Sequence, residues 1–194
     1  MWPWGHLAVG YIAYATWTRY RDDDHPTAAP VVALTVATQL PDLVDKPLAY
    51  SVGVLPEGRS LAHSLLVAVP LCLLALELAR RASGWRARCG VAAAVGYATH
   101  LLGDSLHGLL GLDAAELTFL AFPLLAPPDY DTTSFGEHVA QFVGSVESLG
   151  AGGLSPFLVQ WILFALMVLL WLSHRAPPLG ETVTALRRWN ANRA

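Results

Sequence analysis

The chain consists mainly of long apolar stretches, which are separated by short segments that contain arginine. The clearest stretch, Ser155 to Ser173, has no charged residue and only Gln160 as a strongly polar side chain. A helix rises about 1.5 Å per residue and the hydrocarbon core of a bilayer is about 30 Å thick, so this stretch is long enough to cross. Further spans are predicted at about 5–18, 60–78 and 89–112, with a short apolar candidate at 28–40. The pattern predicts an all-α fold: an integral membrane helical bundle of about five spans, in one membrane-embedded domain over residues 1–194.

The basic residues predict the orientation of these spans. All of the twelve Lys and Arg residues except Lys46 and Arg59 fall in segments that an alternating five-span chain places on one side. Basic loops stay preferentially in the cytoplasm, so the N-terminus is predicted outside and the C-terminus cytoplasmic. Residues 113–154 then form an outer loop and residues 180–194 a cytoplasmic amphipathic tail. The sequence thus predicts a multi-pass protein of the cytoplasmic membrane of the cell.

Composition supports a membrane protein and excludes a nucleic-acid partner. Hydrophobic residues make up 54% of the chain and charged residues 14%, whereas a soluble domain carries about 25% charged residues. The mean hydropathy is +0.44. The net charge of -3 comes without any basic run that could follow a phosphate backbone. Cys72 and Cys89 lack metal-site or redox spacing and are interpreted as small hydrophobic residues. The oligomeric state is left open.

Ionisable side chains in or next to the predicted spans gather near the outer side. A charged side chain at mid-membrane costs roughly 2.5–3.5 kcal/mol on insertion scales, so each one calls for a partner or a function. The predicted topology brings seven such residues toward the same side: His6, Asp42, Asp45, His63, His100, Asp104 and His107. The orientation rests on the basic residues alone, so this convergence independently predicts a site.

Spacing within the fourth span supports that site. His100, Asp104 and His107 occur at i, i+4 and i+7, so they share one helix face. Imidazole and carboxylate together suit zinc, or manganese and iron, better than calcium or magnesium, which prefer all-oxygen shells. The set contains no thiolate, so an open catalytic site is expected rather than a closed structural one. The predicted cofactor is a divalent transition metal, with zinc first and manganese or iron as alternatives.

Two other segments are expected to supply further polar groups. Asp42 and Asp45 are three residues apart and bracketed by two prolines, which are expected to fix a turn with both carboxylates on one side. Ser60 is expected to cap the third span, which would put His63 in its first turn.

Four motifs occur in an order that resembles a known family. They are His6, Pro41-Asp42-Leu43-Val44-Asp45, Arg59-Ser60-Leu61-Ala62-His63-Ser64 and Gly96-Tyr97-Ala98-Thr99-His100-Leu101-Leu102-Gly103-Asp104. Over roughly residues 1 to 110 the chain resembles the YdjM-like family of membrane-bound proteins, described as metal-dependent hydrolases. The motifs are also similar to the metal-binding pattern of zinc-dependent phospholipases C and related single-strand nucleases. That likeness implies as metal ligands His6, Asp42, His63, His100 and Asp104.

The likeness to the phospholipases leaves the number of metals open. Those enzymes use further downstream His and Glu ligands, for which only His107, Glu137 and His138 are candidates in this chain. Whether Glu137 and His138 reach the site is not predicted by the sequence.

Residues and resemblance together predict a membrane-bound hydrolase that cleaves a phosphoester of a membrane lipid or lipid-linked substrate by a metal-activated hydroxide. Arg59 is expected to neutralise the developing charge, and Asp45 or His107 to orient the water or act as general base. Two alternatives stay open: a metal-ion or proton-translocating membrane protein, and a non-catalytic membrane scaffold. Against translocation, the inner halves of the spans are apolar apart from Glu77.

Overall fold

A computed structural model describes residues 1–129, 134–147 and 155–191. In chain order its α-helices are α1 (Pro3–Asp22), α2 (Ala28–Tyr50), α3 (Leu65–Arg81), α4 (Trp85–Gly111), α5 (Phe135–Glu147), α6 (Pro156–Ser173) and α7 (Leu179–Ala191). A short 3-10 helix, Ala115–Ala121, follows α4. The described residues form no strand, so the all-α prediction is confirmed for them. Parts of the predicted outer loop and the last three residues of the predicted tail lie outside the described residues.

The bundle is built around α4, which packs against α1, α2 and α3, and α6 packs against α1. Tyr11, Tyr14 and Leu34 are fully buried in the cluster between α1, α2, α4 and α6. Glycine permits the close approach of α2 and α4, because a Cβ at Gly96 would lie 2.8 Å from the carbonyl oxygen of Leu34. These helices therefore meet nearly backbone to backbone just where α4 carries its polar residues.

The outward surface of the bundle is apolar. α6 buries only Phe157, Gln160 and Met167, and α3 exposes more than half of Leu66 and Leu73. Among the described residues, α6 alone is both long and apolar enough to cross a membrane. The other predicted spans fall on α1 to α4.

The second helix is longer than its apolar pattern indicates. α2 continues through both internal prolines to Tyr50 and has 23 residues, a length of about 34 Å. The expectation of a turn fixed by the prolines was therefore wrong. Asp42 and Asp45 instead project from the buried side of a continuous helix. Each proline removes one helical hydrogen bond, and the extensive packing of α2 against α4 holds the helix together despite that loss.

The third helix begins later than its sequence indicates. Its N-cap is Ser64, whose hydroxyl accepts a backbone hydrogen bond in the first turn, so the predicted cap at Ser60 was wrong and His63 precedes the helix. The reason is Asp45, whose carboxylate accepts the backbone N–H groups of Ser60, Ala62 and His63. These hydrogen bonds hold the segment in turns and keep it from joining α3.

Candidate metal centre

Four buried side chains from three segments converge on one point. They are Asp42 on α2, His63 just before α3, and His100 and Asp104 on α4, and each offers one ligand atom within 4.8 Å of the others. Both histidines are fully buried, and the two carboxylates are less than one-tenth exposed. The i, i+4 spacing on α4 puts His100 and Asp104 on the same face, as predicted from the sequence.

The distances within this group match those of a donor set around one small cation. Nε2 of His63 lies 3.6 Å from Oδ1 of Asp42 and 3.4 Å from Oδ2 of Asp104. Nε2 of His100 lies 3.0 Å from Nε2 of His63. It also lies 3.9 Å from Oδ1 of Asp42 and 3.8 Å from Oδ2 of Asp104. Zinc–nitrogen and zinc–oxygen bonds of about 2.0–2.2 Å put two donors on one ion at most about 4.4 Å apart, so these pairs are close enough to share an ion.

A hydrogen bond at Nδ1 of each imidazole fixes the orientation of the ring. Nδ1 of His63 lies 2.8 Å from Oδ2 of Asp45, and Nδ1 of His100 lies 2.7 Å from the carbonyl oxygen of Thr38. A carbonyl or carboxylate oxygen can only accept, so Nδ1 donates in both cases. In the neutral ring Nε2 then carries a lone pair aimed at the cluster. Metal-ligating histidines are held by this kind of outer hydrogen bond.

The cluster contains buried polar atoms that have no hydrogen-bond donor facing them. Oδ1 of Asp42 is buried and meets no hydrogen-bond partner among the described residues. This oxygen and the two facing Nε2 lone pairs of His63 and His100 are mutually repulsive unless a cation lies between them, either a metal ion or a proton on one imidazole. Two imidazoles and two carboxylates without a thiolate fit zinc, manganese and iron alike. The residues present therefore fit the expected divalent metal.

A comparison with known protein families identifies the family of the chain. The family model for the YdjM inner membrane protein matches residues 1–176. The chain belongs to the YdjM inner membrane protein family. The match extends past the motif region to the end of α6, and the family is described as one of membrane proteins. No curated protein and no solved structure matches the chain significantly, so the likeness to zinc-dependent phospholipases C rests on the motif alone.

His6 lies beside the four-residue set. It is fully buried, and its ring stacks on that of His100 with centroids 3.8 Å apart. Nε2 of His6 is 3.3 Å from Oδ1 of Asp104, the carboxylate oxygen that faces away from His63. Neither ring nitrogen makes a hydrogen bond with another described residue. The structure thus brings His6 to the edge of the set, on the far side of Asp104.

Two cationic side chains border the cluster. Nε of Arg59 lies 3.0 Å from Oδ2 of Asp104, and Nη2 lies 3.3 Å from Oδ1. Nζ of Lys46 lies 2.7 Å from Oδ2 of Asp42, and the amino group of Met1 also contacts Asp104. Lys46 was not among the predicted site residues, although its i+4 spacing from Asp42 on a helix was the signal that could have found it.

A cavity of about 760 Å³ lies beside the cluster, and its wall includes Asp42, Lys46 and Arg59. The remaining wall comes from the N-terminus, the second half of α2, one face of α5 and the start of α6. His138 of α5 is on this wall, with its ring 5.2 Å from that of Tyr50. His138 therefore reaches the cavity, while the four-residue set is formed without it.

The remaining predicted site residues are not part of the donor set. Asp45 is fully buried, and its oxygens face Nδ1 of His63 and backbone N–H groups, so it supports a ligand. His107 is exposed on α4, one turn beyond Asp104. Glu137 is exposed and accepts a backbone hydrogen bond at the start of α5.

Proposed function

We propose that this protein is a membrane-bound, metal-dependent hydrolase that cleaves a phosphoester of a lipid or lipid-linked substrate. The observation that carries the proposal is the position of the cluster: donors that need a cation between them adjoin a cavity whose wall also bears Lys46 and Arg59. A divalent metal held by Asp42, His63, His100 and Asp104 would polarise a phosphoryl oxygen and lower the pKa of a bound water.

In this mechanism the residues of the chain bind the phosphate and orient a ligand of the metal. Arg59 and Lys46 attract the phosphate and neutralise charge that develops on its oxygens. Asp45 is a positioning residue, because it fixes Nδ1 of His63 and so aims Nε2 at the cluster. The buried surroundings of the donors keep these electrostatic interactions strong.

The proposal includes a multi-pass arrangement in the cytoplasmic membrane, with α1, α2, α3, α4 and α6 as spans and the N-terminus outside. The cluster supports the alternation of the first four helices. Its four residues lie in the second half of α2, just before α3 and in the second half of α4. His6, at the start of α1, stacks on His100, and these parts of the four helices share one side only if the helices alternate in direction. On this topology the site lies near the outer interface, where a substrate that stays in the bilayer can reach it.

The test is phosphoester hydrolysis by purified protein in lipid nanodiscs, supplied in turn with zinc, manganese and iron. His100→Ala removes a proposed ligand, and His25→Ala is the matched control, because His25 lies in the loop between α1 and α2 with an exposed side chain. We expect metal-dependent release of phosphate or of a phosphorylated headgroup that His100→Ala abolishes and His25→Ala retains. No release with any metal, or equal release by both variants, would refute the hydrolase.

A further inference from the structure

The charged side chains on the cavity wall favour an anion. Lys46 and Arg59 are cationic and Asp42 is anionic, so the wall carries more positive than negative side chains. Asp104, the partner of Arg59, lies deeper, with 2% of its side chain exposed against 28% for Arg59. The side chain of Lys46 is 32% exposed. An ammonium has three donors, so Lys46 can bond Asp42 and an entering anion together.

An aromatic and apolar wall faces these charges. Trp2, Trp4 and Tyr50 line the same cavity, and the two indoles stack with centroids 5.4 Å apart. Phe157 of α6 packs edge-on against both indoles, at 6.4 Å and 6.0 Å. Such a rigid aromatic surface suits a hydrocarbon chain, and tryptophans of this kind are typical of the membrane interface.

The charged and the aromatic parts of the cavity wall together indicate which lipid headgroup can bind. A choline or ethanolamine group beyond the phosphate would bring a further positive charge toward Lys46 and Arg59, and like charges repel. The volume of about 760 Å³ is that of a pocket for one small molecule. It accommodates a phosphate and the first part of a chain, with the rest of the chain left in the bilayer.

We infer that the cavity selects an anionic lipid whose terminal phosphate carries no cationic substituent, and that Lys46 is the residue that selects this headgroup. The inference rests on the proposed hydrolase and names its substrate class. Lys46 acts by direct contact with the phosphate, while its bond to Asp42 holds the ammonium at the border between the cavity and the cluster.

Equilibrium binding tests the inference without turnover. Protein in nanodiscs is titrated calorimetrically with dodecylphosphonate, whose carbon–phosphorus bond resists hydrolysis, with dodecylphosphocholine and with inorganic phosphate. We expect the phosphonate to bind at least about tenfold more tightly than either other ligand, as a bond to a charged group predicts. Lys46→Gln should remove most of the preference for phosphonate over phosphocholine, and Lys46→Arg should keep it.

Each contrary outcome has a distinct meaning. Equal binding of phosphonate and phosphocholine by the wild type, or an unchanged preference in Lys46→Gln, would overturn the inference. Inorganic phosphate binding as tightly as the phosphonate would overturn its lipid part. If Lys46→Gln does not fold, the comparison of the three ligands with the wild type alone tests the inference. A preference for the phosphonate without hydrolysis of any lipid phosphoester would refute the hydrolase and support the binding site. Hydrolysis without that preference would support the hydrolase and refute the selection of the headgroup.

Discussion

His63 and His100 face each other through their Nε2 atoms at 3.0 Å. Each ring is held in that position by an acceptor on its Nδ1, Asp45 for His63 and the backbone of Thr38 for His100. Two neutral imidazoles so oriented direct two lone pairs at one point, and a buried site tolerates this only with a cation between them. We interpret the pair as two metal ligands.

Asp45→Asn is expected to weaken metal binding although Asp45 is not a proposed ligand. The carboxylate accepts from Nδ1 of His63 and from backbone N–H groups through both oxygens, whereas an amide offers one oxygen and turns an NH2 group toward donors. Loss of such outer support costs metal affinity about 10- to 100-fold. Chelator competition measures the change, with the exposed Asp23→Asn as control. An unaltered affinity in folded Asp45→Asn would contradict the positioning role.

Much of the candidate site could be predicted from the sequence because its spacing is helical. His100 and Asp104 meet through an i, i+4 repeat, and the bias of the basic residues brought His63 and Asp42 to the same end. The support from Asp45 could not be foreseen, since it depends on residues 51–64 folding back over α2. The continuation of α2 through its prolines was likewise decided by packing against α4.

The position of His107 shows where spacing alone stops being informative. Its i+7 relation to His100 gives it the same helix face, yet His107 is exposed while Asp104 is buried. A face is buried only where neighbouring elements cover it, and such cover is a tertiary property. Periodicity predicts which side of a helix a residue occupies. It does not predict how far along the helix the neighbouring elements pack against that side.

Gly96→Ala is expected to destabilise the bundle, and Gly111→Ala at the end of the same helix is its control. The added methyl group at Gly96 would meet the backbone oxygen of Leu34 at 2.8 Å, whereas a Cβ at Gly111 meets nothing within 4 Å. Forcing α2 and α4 apart should cost roughly 1–3 kcal/mol and shift His100 relative to Asp42. Thermal unfolding in detergent measures the loss, and equal melting temperatures for the two variants would show that the helices are not tightly apposed.

His174, just past the end of α6, is expected to make stability depend on pH. Its Nδ1 lies 3.0 Å from the hydroxyl of Tyr11, and burial, followed by the nearby His25, lowers the pKa of His174. The folded state therefore binds fewer protons than the unfolded chain between this lowered pKa and the ordinary value of about 6.5, so stability is complete above about pH 6.5 and falls as the pH drops through that window.

Melting temperatures at about pH 7.5 and about pH 5.5 measure this contribution. The wild type should lose stability at the lower pH, and His174→Gln should lose less of it because glutamine does not titrate. A fall of the same size in both proteins would assign the pH dependence to other groups.

The proposed topology predicts opposite accessibility for the two ends of α4. Single cysteines at exposed positions, Ser83→Cys before the helix and Asp113→Cys after it, are introduced with Cys72 and Cys89 replaced by serine. A membrane-impermeant maleimide applied to intact cells should label Asp113→Cys alone. Labelling of Ser83→Cys alone would invert the orientation, and labelling of both would show that α4 does not cross.

Elemental analysis of detergent-purified protein tests most directly whether the cluster is a metal centre. Wild type is compared with His63→Ala and His100→Ala, with His25→Ala as a control for loss of a histidine elsewhere. We predict zinc, manganese or iron at about one atom or more per chain in the wild type and in His25→Ala, and none retained in the two site variants. A folded wild type free of transition metal, even after incubation with each of these ions, would contradict the metal centre and leave a proton shared by His63 and His100.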